Sequence, residues 1–272
     1  MCVGLTGGVP VAAQGEAPAP DASATFDSAD ELLTALETAD ADITTFSSRI
    51  NYRKFFAIQS DEQERRGTLY FKTDHPDDGA PPKRRFAVTF NELIVAGRRE
   101  ATEQHYAFDG QWVVEKTPSD RQFTKRQVVP PGESFDPLKI GEGPFPVPVG
   151  QRKADIIERF ETALAPAAEG LDDPSLASFA AFNGLVQLSL TPKPGTPEAS
   201  DFESIRIWYE PAGRMLPRIA KTVNPVGDES LVVLLEPVVN EPIDEAIFDT
   251  AVPPDEEGWN VNITEYRRPA SD

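Results

Sequence analysis

For acid–base and nucleophilic chemistry this 272-residue chain offers only two histidines and one cysteine, beside a large supply of carboxylates. A hydrolase using Ser and His needs an imidazole placed beside an activated hydroxyl. His75 falls in a polar loop, and His105 begins a strand on its outer side. Neither sits in a recognisable motif. The chain contains no Gly-x-Ser-x-Gly elbow and no Gly-x-x-x-x-Gly-Lys phosphate loop. Both histidines therefore read as solvated or structural, since a general base needs its partners in place. Asp74, His75, Asp77 and Asp78 are close enough in sequence for a weak cation site, yet their spacing matches neither a calcium loop nor a zinc motif. A solvated acidic loop explains them as well. No pair of carboxylates is singled out as a glycosidase's acid and base. The sequence thus predicts a protein that is not an enzyme and carries no cofactor and no metal.

A stronger pattern lies in apolar residues spaced two apart. In a strand that spacing puts one set of side chains on each face. Leu69 and Phe71 in Gly67–Lys72, then Phe86, Val88 and Phe90 in Arg85–Phe90, belong to one such set, with Tyr106 and Phe108 before a turn. Asp109-Gly110 supplies the φ > 0 turn that joins antiparallel strands, and Trp112 follows it. Later in the chain Val186, Leu188 and Leu190 alternate with Gln187, Ser189 and Thr191, while Ile205 and Ile207 alternate with Arg206 and Trp208. Together these residues are the candidate site, an apolar face on antiparallel strands. Such a face is most often ordinary core, here filled by helices. The alternative is a cavity for an apolar ligand.

The remaining elements must position that face. Length allows one large domain or two small ones. A net charge of −19 repels the phosphates of nucleic acid and disfavours that partner, so none is expected. No run of 18 apolar residues is present, so no membrane helix is expected. Cys2 has no second cysteine for an internal disulfide. Residues 1–13 look like the tail of a secretory signal lacking its basic start, or else a flexible leader, and 14–25 read as a disordered lead-in. Ser28 and Glu31 have capping-box spacing for a short helix carrying Leu32, Leu33 and Leu36. A strand over 44–58 puts Phe46, Ile50 and Tyr52 on one face, and Glu62–Arg66 reads as a charged turn. Gln151–Leu164 is the clearest helix, its stripe made by Ile156, Ile157, Phe160 and Leu164. The proline-rich segment near 130–149 reads as an extended surface insertion. A second, irregular insertion spans 166–183, with Phe179 and Phe182 to anchor it. Residues 26–268 are expected to form a single domain.

Taken in order, these pieces resemble the LolA family of periplasmic lipoprotein carriers. The matching residues are Gly67 to Lys72 with Pro76, Arg85-Phe86, Phe108-Asp109-Gly110-Gln111-Trp112 and Leu188-Ser189-Leu190-Thr191-Pro192-Lys193. Asn240, Ile243-Asp244, Phe248 and Pro253 follow in the family's closing order. The resemblance covers roughly Leu32 to Trp259 outside the two insertions. It implies an α+β fold: a strongly curved antiparallel sheet, an incomplete β-barrel, with helices packed on its concave face. It also implies a soluble, exported periplasmic monomer. In such a protein the apolar residues above would shelter lipoprotein acyl chains or another lipid, exchanged with membrane-bound donor and acceptor proteins. Ile156, Phe160 and Leu164 would be the lid. The second reading is an envelope sensor or interaction module of the same fold, binding a partner protein. One departure stands out. The family's arginine just after the second strand's lysine is missing, because Lys72 is followed by Thr73-Asp74-His75-Pro76. Closure is then expected to rest on the apolar stripe, unless Arg84 or Arg85 serves as a displaced latch.

Overall fold

The structure is a computed structural model and describes residues 26–39, 41–74, 82–130, 152–254 and 258–266. Helix α1 (Ala29–Ala39) precedes β1 (Thr45–Phe56), β2 (Asp61–Asp74), β3 (Lys83–Val95), β4 (Arg98–Phe108), β5 (Trp112–Thr117) and β6 (Gln122–Gln127). Next come α2 (Lys153–Arg159), β7 (Phe160–Ala165), α3 (Pro174–Phe182), β8 (Val186–Pro192) and a one-turn helix α4 (Glu198–Asp201). Strands β9 (Ser204–Tyr209), β10 (Pro217–Val223), β11 (Glu229–Val239) and β12 (Asn260–Thr264) complete the order. Among the described residues the strands form one twelve-stranded sheet, ordered β12-β6-β5-β4-β3-β2-β1-β11-β10-β9-β8-β7. It curves without closing, an incomplete barrel of the α+β class.

Two meanders, β1–β6 and β7–β11, meet along a single seam between β1 and β11, where Ile50 faces Leu234 and Tyr52 faces Val232. The Asp109-Gly110 hairpin forms as its residues require. The Asp109 carboxylate accepts the N–H groups of Gln111 and Trp112, both at 2.9 Å, and Gly110 has φ 100°. At Gly67 the ladder between β2 and β3 shifts register. A Cβ there would lie 1.8 Å from the Thr89 carbonyl oxygen, so only glycine admits this close approach of the two backbones.

Helix α1 starts where the capping residues place it. Ser28 Oγ accepts the Glu31 N–H at 3.2 Å, while the Glu31 carboxylate reaches back to the Asp27 N–H at 3.0 Å, one residue earlier than in the usual box. Its Leu32, Leu33 and Leu36 are buried on the concave face with Ile156 of α2.

Several expectations need correction. The helix predicted over Gln151–Leu164 stops at Arg159, and Phe160–Ala165 continues as β7, paired with β8. The reason is arithmetic: Ile156, Phe160 and Leu164 recur every four residues, a spacing compatible with a helical face and also a multiple of the strand period. Glu62–Arg66 is not a turn but the start of β2, opposite β1, and the reversal falls at residues 57–60. The 166–183 segment contains α3 and lies on the convex side, against Trp208, Ile219, Leu231 and Val233. Phe179 packs there, but Phe182 is 92% exposed and anchors nothing. Finally, the sheet is mixed, because β12 runs parallel to β6. Of the insertion expected near 130–149, residues 131–149 lie outside the described residues.

Candidate functional site

Alternation along each strand brings the predicted apolar residues to one face. Leu69, Phe71, Phe86, Val88, Phe90 and Phe108 form one cluster with Phe46, Ile50, Val232 and Leu234, and Tyr106 packs against it. Leu188, Leu190, Ile205 and Ile207 form a second cluster, with Val186 beside it. Ala220 of the second cluster faces Val232 of the first across β10 and β11, so the two share one concave surface. Rings connect neighbouring strands along it. Phe86 stacks on Phe108 at 5.7 Å, and Phe90 meets Tyr106 edge-on at 6.2 Å.

The second cluster is covered by the chain itself. Helices α1 and α2 lie over β7–β10, and Ile156, Phe160 and partly buried Leu164 all join them there. Ile156 reaches the cluster from a helix and the other two from a strand. Lys153 binds the helices together: its N–H donates to the Glu37 carboxylate at 3.0 Å, and its ammonium reaches Thr34 Oγ1 at 3.1 Å and Asp30 at 2.6 Å. In the first cluster the predicted lining residues other than Tyr106 are only 0–3% exposed.

One end of the concave face is polar, which the apolar pattern alone did not reveal. Arg65 Nε donates to Gln104 Oε1 at 3.2 Å. Gln104 Nε2 donates to Tyr106 Oη at 2.7 Å and to Glu115 Oε1 at 2.8 Å, and Tyr106 Oη donates to the same carboxylate oxygen at 3.0 Å. Burial, with Glu115 beside it, pushes the Tyr106 phenol well above its usual value, so it stays a neutral donor. The signal was present in the sequence: Arg65 is in step with Leu69 and Phe71, and Gln104 with Tyr106 and Phe108. Treating residues 62–66 as a turn and His105 as a strand start cut both series short.

On the convex side, residues 240–250 cross the backs of β2–β4. Phe248 is buried against Ala87 and Ala107, and Arg85 stacks on its ring at 4.9 Å. Arg85 also pairs with Asp74 at 2.7 Å and with Glu245 at 2.9 Å, and Lys72 binds Glu245 too. Lys72 and then Arg85 hold the Glu245 carboxyl below its ordinary range. Arg85 is therefore a clamp on this strap, and its ion pairs point away from the helix-loop carbonyls of the expected latch. His105 lies mid-strand in β4 beneath the strap. Burial lowers its pKa; a hydrogen bond to the Ile247 backbone opposes this, and Lys116 reinforces it. Asp109 receives the Thr250 hydroxyl at 2.7 Å, which with the two turn N–H groups outweighs burial and keeps its carboxyl low.

Further along the convex face, four side chains hold the 166–173 loop. Trp208 Nε1 donates to the Ala167 carbonyl at 2.7 Å, and Gln187 Nε2 to those of Pro166 and Glu169 at 3.0 and 2.8 Å. Arg206 pairs with Glu169 at 3.0 Å, and Lys221 with Asp172 at 2.9 Å. An open cleft of about 380 Å³ beside this loop is lined by Arg53, Phe55, Glu62, Asp172, Asp173, Glu229 and Leu231. It lies on the opposite side of the sheet from the predicted lining. Among the described residues no three of His, Cys, Asp and Glu converge as metal ligands; His75, Asp77 and Asp78 fall outside them. No helix among those residues is long and apolar enough to cross a membrane.

No family model and no curated protein matches the chain. Similar solved structures include an uncharacterized conserved protein from Thermus thermophilus, with a TM-score of 0.43 at 12% identity over 88% of this chain and 99% of that one. MucB overlays at 0.38 and 15% identity, over 82% of this chain and 62% of its own, and has also been solved in complex with MucA(peri). The LolA superfamily protein NE2245 from Nitrosomonas europaea overlays at 0.32 and 12% identity, over 83% and 99% of the two chains. With scores this low, the fold class rests on the sheet itself. The likeness is one of fold, to structures that include LolA superfamily members.

Proposed function

We infer that this protein is a non-enzymatic carrier or binding protein of the cell envelope. It shelters the acyl chains of lipoproteins, or of another lipid, on its concave face while crossing the periplasm as an exported monomer. The supporting observation is the gathering of apolar side chains from β2, β3, β4, β8 and β9 on that one surface. Sheltering an acyl chain there saves about 0.8 kcal/mol per CH₂ otherwise exposed to water. Loading requires the closed face to open, and over β7–β10 α1 and α2 are the pair that lifts, coupled through Lys153. Ile156 leaves with the helices, whereas Phe160 and Leu164 remain on the sheet as the lip of the cavity.

The closed state also favours a second reading. An interaction module of this fold would keep its interior filled and bind a partner protein on its outside. Organic-solvent extraction of the purified protein, followed by mass spectrometry and titration with an acyl-chain fluorophore, separates the two. The carrier reading expects co-purified lipid and saturable probe binding, with binding weakened in a folded Phe90→Asp variant. An empty extract with no probe binding overturns it in favour of the interaction module.

A further inference from the structure

The concave face is graded along its strands. On β2 the inward series runs from Arg65 past Gly67 to Leu69 and Phe71; on β4 it runs from Gln104 through Tyr106 to Phe108. The two series lie side by side, since Phe90 of β3 faces both Gly67 and Gln104. Along β2 and β4 the series therefore begins with charged and hydrogen-bonding groups, Arg65 lying in register between Tyr52 and Leu93, and continues as aromatic and aliphatic ones. Arg65 to Phe71 spans about 20 Å at the usual strand rise. That layout matches an amphiphile with a head and a tail.

Arg65 is the unusual member. Its guanidinium is partly buried and permanently charged, yet only Nε has a partner among the described residues, the Gln104 amide oxygen at 3.2 Å. Gln104 is itself fixed by Tyr106 and Glu115. Holding Nε in this way orients the planar fork and leaves both terminal nitrogens unspent. A fork so presented suits bidentate recognition of an oxyanion, which a lysine's point charge does not reproduce. Glu115 is the carboxylate tied to the same glutamine, but its Oε1 already accepts from Gln104 and Tyr106, and Gln104 bonds to both it and Arg65.

We propose that Arg65 is the headgroup anchor of this site and that the ligand is an anionic amphiphile, a carboxylate or phosphate carried on an acyl chain. The assignment rests on the carrier reading and sharpens it, because a neutral lipid of equal chain length is discriminated against. Oleate, methyl oleate and lysophosphatidate are titrated into the full chain by calorimetry. The same is done for Arg65→Gln, for Arg65→Lys, and for Arg66→Gln, whose arginine pairs instead with Glu64 and Glu92. The wild type is expected to bind oleate at least tenfold tighter than its ester, the scale of a lost charge-assisted bond. Arg65→Gln should abolish that preference and leave ester binding unchanged. Arg65→Lys should keep part of it, and Arg66→Gln all of it. Should Arg65→Gln fail to fold by circular dichroism, Arg65→Lys decides alone. Tighter lysophosphatidate than oleate identifies phosphate as the natural head, and the reverse identifies carboxylate. Equal oleate and ester affinity in the wild type, or a preference that survives in Arg65→Gln, overturns the anchor while leaving the carrier. Absence of binding by all three ligands overturns the carrier reading and the anchor with it.

Discussion

Gly67→Ala is the substitution whose cost the structure sets most directly. The new Cβ would sit 1.8 Å from the Thr89 carbonyl oxygen and 2.8 Å from the Phe90 Cα, where ordinary contacts begin at 3.4 Å. The backbones must part by about 1.6 Å (3.4 − 1.8), and no flexible side chain is there to yield. Overpacking of a core costs about 1–3 kcal/mol. Displacing β3 also weakens the pairings of Gly67 with Phe90 and Thr68 with Thr89, at about 1 kcal/mol for each bond. A total of roughly 3–5 kcal/mol follows, a large part of a typical domain's stability and worth on the order of 10 °C in melting temperature. Gly97→Ala is the control. It has φ +74° with nothing within 4 Å, so only left-handed backbone strain of about 1 kcal/mol applies. Urea unfolding of both variants, followed by circular dichroism, measures the difference. Equal losses would refute the close approach of β2 and β3 and the register shift built on it.

Three other outcomes are expected. Phe160→Ala should cost about 3–5 kcal/mol by denaturant titration, since its ring is only 1% exposed, whereas Phe182→Ala should stay within about 0.5 kcal/mol. Trp208→Phe deletes the donor to the Ala167 carbonyl and should cost about 1–3 kcal/mol, with faster amide hydrogen exchange over 166–183. Acid should release the 240–250 strap. His105 has a folded pKa below its ordinary 6.5, so the unfolded state takes up the proton first and stability falls as the pH drops below about 6.5. Glu245, held low by Lys72 and Arg85, loses its contribution in the same direction at lower pH, below about 4.5. His105→Gln should flatten the upper part of that profile, and an unchanged profile would remove His105 from the account.

The sheet was readable because alternation survives folding: Phe86, Val88 and Phe90 can share a face only in a strand, and burial then selects which face. Asp109-Gly110 was equally direct, since its turn is local chemistry. The boundary between α2 and β7 was hidden for a physical reason, because a four-residue repeat satisfies both periods and the choice is made by pairing with β8, a non-local partner. The convex-side contacts were hidden differently. Nothing local says that Trp208 will hold Ala167 or that Arg85 will hold Glu245, 160 residues away. Arg65 lies between these cases. Its parity was visible, but a run of charged residues reads as a turn until the opposite strand is known.

The seam between β1 and β11 carries a consequence for how the chain is made. Within each meander most neighbouring strands are close in sequence, so each can form from nearly local contacts. The seam instead joins Ser48 to Leu235 across 187 residues, and loop closure over that distance must come before any reward. A ribosome or secretion channel delivering the chain from its N-terminus releases β1–β4 long before β11 exists. Through that interval Phe46, Ile50, Tyr52 and their neighbours lack the strand that completes their side of the sheet. The nascent N-terminal meander is thus the stage most exposed to self-association. Slowing the arrival of residues 229–239 should lower the yield of folded protein more than the same delay placed after β11.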